Sequence, residues 1–142
     1  MFEELAHIAR KANFKRALDN AIKETEFELL ELLRAQLSKG QGGDGTLPAL
    51  NDYYYARKKK KMGGQAPFGI MDLKFKGDFY DSLQVQKSNN VLYVGATDPK
   101  TPKLIEIAGE QIFELNAENF EYYKNEILLP AIIKYVENEL RI

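Results

Sequence analysis

Few residues in this sequence have the types and spacing that chemistry requires. Asp78 and Asp81 stand three apart beside Phe79 and Tyr80, which puts both carboxylates on one side of a helical turn. Such a pair suits a hard-cation site or an acid/base couple; the plainer reading has Asp78 capping the turn and Asp81 in solvent. His7, the single histidine, lies beside Ile8 and Ala9 in a helical pattern and gives little support to a Ser-His-Asp arrangement. Gly40-Gln41-Gly42-Gly43-Asp44-Gly45 fits the spacing of the dinucleotide fingerprint. That motif needs a strand before it and a helix after it to hold the pyrophosphate, whereas here a helix precedes and Thr46-Leu47-Pro48 comes next. Tyr53-Tyr54-Tyr55 adjoin Arg57, Lys58, Lys59, Lys60 and Lys61. Rings can stack on bases while cations hold phosphates; the same run also reads as a solvated loop or as a contact with an acidic partner surface. There is no H-E-x-x-H, no P-loop lysine and no C-x-x-C. The expectation is a protein that is not an enzyme, with no catalytic residue, cofactor or metal.

Composition narrows the class. With 142 residues, 44% of them hydrophobic, the chain is long enough for one domain with its own core and too short for two ordinary ones. A formal net charge of -1 argues against a general polyanion binder and leaves room for a local patch. The absence of cysteine excludes disulfides, thiolate metal sites and a cysteine nucleophile. Met1-Phe2-Glu3-Glu4 leads into no continuous apolar run, so no signal peptide is expected. The apolar stretch from Ile127 to Ile133 falls far short of the roughly 20 residues that span a bilayer. A soluble protein with no membrane partner is expected.

The elements that must position these residues are legible from periodicity. Residues 2 to about 38 carry Leu5, Ile8, Ala9, Ala12, Leu18, Ala21, Ile22, Leu29, Leu32 and Leu33 at helical spacing, with Lys, Glu and Arg between them. Gly40, after Ser38 and Lys39, is the stop. A continuous helix would run roughly 50 Å at ~1.5 Å per residue, so it either bends, near Asn13, or projects into a neighbour. Residues 40–66 read as a flexible Gly-rich and basic loop region, with a short helix near Leu50–Arg57 capped by Asn51 or Asp52. Leu83-Gln84-Val85-Gln86 and Val91-Leu92-Tyr93-Val94 alternate at period two about Ser88-Asn89-Asn90, whose asparagines tolerate the positive φ of a tight hairpin. Leu83, Val85, Leu92 and Val94 would face the helices, leaving the second face, with Gln84, Gln86 and Tyr93, and the edges of the sheet available to a neighbouring copy, edge pairing being one way to build a ring.

Thr97 to Lys103 is a Pro-punctuated turn. Leu104–Gly109 reads equally as a strand or a helical turn, and Ile112–Leu115 as a short extended piece, so residues 67–115 are assigned to the sheet. Asn116 should cap the final helix, with Glu118 in its first turn. Phe120, Tyr123, Ile127, Ala131, Tyr135 and Val136 give that helix an apolar face, and Pro130 should kink or break it. The predicted fold class is α+β. A long N-terminal helix (1–39) and a C-terminal helix (116–142) pack on a small, mainly antiparallel sheet with a central hairpin, in one domain over 1–142.

From Leu47 onward the order of features resembles the virion-morphogenesis or tail-completion proteins of tailed bacteriophages. Leu47-Pro48-Ala49-Leu50, Tyr55-Ala56-Arg57-Lys58-Lys59 and Gly63-Gly64 stand where that family has its Pro-Leu segment, Tyr/Lys stretch and basic glycine loop. Lys76-Gly77-Asp78-Phe79-Tyr80-Asp81-Ser82-Leu83 is similar to its Thr-Gly-x-Leu-x-x-Ser-Leu motif, and Val94-Gly95 to its strand end. Lys76 and Phe79 replace the family's Thr and Leu. Ile105–Gly109 and Ile112–Asn116 occupy the places of a histidine loop and a Pro-Phe turn without their histidine and proline. The resemblance implies a small structural subunit of the virion, at the head–tail junction (the neck) or upper tail, assembled in the bacterial host cytoplasm. It would form a homo-oligomeric ring, dock to other neck or tail proteins, and do no chemistry. Arg57 to Lys61, Gln84, Gln86 and Tyr93 would then be contact residues, with Gly77, Asp78, Phe79, Ser82, Leu83 and Gly95 as the structural motif. The basic run could also face DNA in a ring lumen, or make the chain a nucleic-acid-binding module instead.

Overall fold

Apolar residues at helical spacing fold the start of the chain into two consecutive helices, α1 (Phe2–Glu24) and α2 (Glu26–Ser38). The structure is a computed structural model that describes residues 2–47, 78–89 and 91–140, without the side chains of 2, 4–13 and 140. The helical run is interrupted at Thr25, not near Asn13, which lies inside α1. Thr25 has φ -102° and ψ 15°, and its hydroxyl donates to the Ala21 carbonyl at 2.7 Å. A Thr hydroxyl bonded back to the carbonyl four residues earlier disturbs a helix locally.

Gly40, at φ 78°, ends α2 as expected. The glycine-rich segment after it is not a structureless connector. β1 (Gln41–Gly42) and β2 (Gly45–Thr46) form an antiparallel hairpin, tied down by Gly43 N–H donating to Gln111 O at 2.9 Å and by the buried Leu47. A Cβ on Gly42 or Gly43 would come within 2.6 Å of Gln111 or Glu114, so glycine allows this hairpin to lie flat against them. Of the fingerprint-like glycines, Gly42 thus serves packing, while Gly40 and Gly45 supply positive φ, 78° and 127°.

One helical turn, α3 (Asp78–Asp81), buries Phe79 and Tyr80 and leads into β3 (Leu83–Ser88) and β4 (Val91–Ala96). These strands pair antiparallel from Leu83↔Ala96 to Ser88↔Val91, and Asn89 takes φ 51° in the turn. The predicted hairpin and its two faces are present, and Asn89 takes the positive φ expected of the turn, whereas Asn90 lies outside the described residues. α4 (Thr101–Ala108) settles the ambiguous Leu104–Gly109 stretch as helix, and Glu110–Phe113 is a 3-10 turn. Among the described residues, strand in the 67–115 region is thus confined to residues 83–96. The correction has a simple cause: Leu104, Ile105, Ala108 and Ile112 recur at helical spacing. Of the expected extended piece, Glu114 has extended backbone, at φ -113° and ψ 137°.

Asn116 caps α5 (Ala117–Tyr122), its Oδ1 accepting from Asn119 N–H at 2.8 Å. A π-helical segment, Tyr123–Leu128, then precedes α6 (Leu129–Leu140). Proline lacks the donor and crowds the carbonyl four residues back, and a wide turn just before Pro130 relieves both problems. Of the kink or break expected at Pro130, this is an interruption of the α-helix. α6 lies against α1. The core gathers Leu30, Leu33 and Leu37 of α2 with Leu47, Phe79, Leu83 and Ile112, and Val94, Ala96, Ile105 and Phe113 pack on it. The fold is α+β, with the terminal helices in contact. Among the described residues, no helix is long and apolar enough to cross a membrane.

Candidate assembly interface

Much of the motif around Ser82 is internal scaffolding. Phe79 and Leu83 are core residues, and Phe79 packs on Phe113 with ring centroids 6.1 Å apart. The Ser82 hydroxyl donates to Phe79 O at 2.9 Å and accepts from Asp98 N–H at 3.1 Å, joining α3 to the loop beyond β4. Arg34 of α2 clamps the same turn, its Nε donating to Tyr80 O at 3.0 Å. Asp78 and Asp81 are both exposed, and the turn is closed by the Asp78 carbonyl and by Ser82 rather than by a carboxylate cap. Among the described residues, no group of three or more His, Cys, Asp or Glu is placed to hold a metal. Gly77, Arg57 and Lys58 to Lys61 lie outside the described residues, as do the expected helix near Leu50 and the side chain of His7.

Residues that sequence reasoning missed hold the C-terminal region in place. Gln36, 3% exposed, donates from Nε2 to Glu114 O at 2.8 Å, and its Oε1 accepts from Asn116 N–H at 2.8 Å and Asn119 Nδ2 at 3.1 Å. One amide thus fixes both the extended residue 114 and the start of α5. The buried Thr25 hydroxyl meets the Tyr123 hydroxyl at 2.8 Å. Burial raises the Tyr123 pKa above its ordinary value; the Glu28 charge adds to this, and the Thr25 hydrogen bond opposes it. A lone glutamine and a lone threonine on leucine-rich helices give no sequence signal for these roles.

The second face of the hairpin carries the expected residues, with Gln84 and Tyr93 exposed. Gln86 is half-buried because its amide lies over Gly95, where a Cβ would sit 2.5 Å from its Oε1. The two edges of the hairpin differ. In a two-residue hairpin, alternate residues bond across the ladder and the others point their N–H and C=O outward. The bond from Thr97 N–H to Ser82 O fixes the parity, so Leu83, Val85 and Lys87 point out on β3, and Leu92, Val94 and Ala96 on β4. Val85 N–H is capped by Glu26 Oε1 at 2.8 Å. On β4 the outward groups have no hydrogen-bond partner among the described residues.

The C-terminal helix presents more apolar surface than its neighbours cover. Ala131, Ile132 and Tyr135 are half-buried, while Leu129, Ile133 and Val136 are 48%, 49% and 40% exposed. The exposed three lie at i, i+4 and i+7, a stripe along one side of α6. Of the face read from sequence, Tyr123 is buried, whereas Phe120 and Val136 are exposed. Phe14 and Phe27 add exposed rings on α1 and α2. Comparison with family models, curated proteins and solved structures finds no match for this chain.

Proposed function

We propose that this chain is a non-enzymatic structural subunit that assembles with copies of itself and with neighbouring proteins. Its place would be the neck or upper tail of a tailed-bacteriophage virion, where the copies form a ring. The observation that carries the assembly reading is the uncovered stripe Leu129, Ile133 and Val136. Contiguous exposed apolar side chains on one helix face mark association surfaces, while single ones need no explanation. The resemblance around Lys76–Leu83 and Val94-Gly95 supports the virion setting.

Light scattering of the purified protein tests the assembly reading. A mass above the monomer's is expected at high micromolar concentration, and Ile133→Glu should return it to the monomer with its far-UV circular dichroism unchanged. Wild-type protein that stays monomeric under those conditions would overturn self-assembly. Electron microscopy of particles made without this chain tests the virion reading. Unjoined heads and tails are expected, and intact infectious particles would refute it.

A further inference from the structure

We infer that the open edge of β4 binds a single extended peptide strand from a different polypeptide, one in which apolar residues alternate with lysine or arginine. Proteins normally protect sheet edges with charge, proline, a bulge or a covering element. β3 is protected in this way, by the Glu26 carboxylate on Val85 N–H and by Lys87. β4 reads Val91-Leu92-Tyr93-Val94-Gly95-Ala96, with no charge and no proline, and its pairing runs without a bulge. The outward N–H and C=O of Leu92, Val94 and Ala96 belong to half-buried residues and have no partner among the described residues.

The space beside this edge is a built groove. A cleft of about 620 Å³ extends from Gln86, Tyr93 and Gly95 on the second face over the Val94–Ala96 edge and is bounded on the far side by Thr101 and Ile105 of α4 and by Phe113 and Glu114. A second cleft, of about 320 Å³, lies against the first face at Val85 and Leu92 and shares Tyr93, Val94, Phe113 and Glu114 with the first, so the edge is flanked on both sides. A strand on one side and a helix on the other is the arrangement that adds one extended peptide to a sheet edge. A second copy could pair its own β4 edge here, but that strand, Val91 to Ala96, carries no cation to meet the carboxylates of the groove.

The charge of the cleft defines the occupant. The charged residues lining the larger cleft are Glu110 and Glu114, both carboxylates, so cations on the peptide match its rim while Val94, Ile105 and Phe113 take apolar side chains. This inference rests on the assembly reading only for the source of the peptide. A peptide titration measures the groove, and light scattering measures self-assembly, so either can fail alone.

The test is an amide-resolved NMR titration of the full chain, using Ile133→Glu if the wild type is too large. The probe is a blocked hexapeptide of alternating lysine and valine, compared with its glutamate-valine counterpart and with the lysine peptide N-methylated at alternate amides. The lysine peptide should shift the Leu92, Val94, Ala96 and Thr101 amides to saturation, with half-saturation near or below about 1 mM. Glu110→Gln with Glu114→Gln should weaken it about three- to tenfold. The N-methylated and acidic peptides should bind more weakly still. Unmoved β4 amides at millimolar lysine peptide, or equal binding of the N-methylated form, would overturn the inference. So would slow hydrogen exchange of Val94 and Ala96 in the peptide-free protein, since the edge would then be filled from within the chain or by another copy.

Discussion

Gln36 shows how much one side chain can carry. Its amide satisfies the Glu114 carbonyl and the Asn116 N–H together, so Gln36→Leu leaves a backbone donor and acceptor without partners in a part-buried position. Such groups cost about 1–3 kcal/mol each, and a loss of about 2–3 kcal/mol in a urea titration is expected. A loss below about 0.5 kcal/mol would show that water replaces the amide. Tyr123 makes a different prediction. Its folded-state pKa is raised, so the folded state holds the phenolic proton more tightly than the unfolded chain, whose value is about 10. The contribution of Tyr123 is fully present below that value and is lost as pH rises through the raised folded value. Tyr123→Phe should cost about 1 kcal/mol near neutral pH through the lost Thr25 hydrogen bond. The variant should also lose less stability than the wild type in alkaline denaturant titrations.

Among the elements, those defined by side-chain periodicity were legible. Alternation placed the hairpin and assigned Leu83, Val85, Leu92 and Val94 to one face, and Asn116 announced its helix. The misreadings share a physical origin in contacts that local pattern cannot encode. Thr25 interrupts a run with no glycine or proline, and its hydroxyl is also engaged by Tyr123, which is 98 residues away. Glycine has no side chain to show a pattern, so the β1–β2 hairpin is specified largely by Gln111, Glu114 and Leu47. Ile112 and Phe113 have strand-like types but sit in a 3-10 turn. Pro130 signalled a disturbance in the last helix without revealing that the turn before it would widen. If proline imposes that wide turn, Pro130→Ala should raise stability by about 1 kcal/mol. NMR shifts of residues 123–128 should then move toward regular α-helix; unchanged shifts would mean that packing against α1 and α2 sets the wide turn.

At the scale of the molecule, the candidate site was only partly legible. Sequence pointed to the second face of the hairpin, and Tyr93 and Gln84 are there. The larger uncovered surface, along α6, could not be read from sequence because exposure of Ile133 depends on where α1 lies. The sheet edges were foreseen as pairing surfaces, but only the fold shows that they differ: Glu26 caps Val85 on β3, while the outward groups of β4 have no partner among the described residues. The bonds from Gln36 to Asn116 and from Thr25 to Tyr123 bridge 80 and 98 residues. They also set an order for synthesis on the ribosome. The leucines of α2 emerge first, and the partners that lock the helix in place are made at least 80 residues later. Contacts so distant in sequence slow folding, and apolar helices left waiting are prone to association. A nascent chain stalled before Asn116 should therefore be protease-sensitive and chaperone-bound, and should become resistant once residues 116–140 have cleared the exit tunnel.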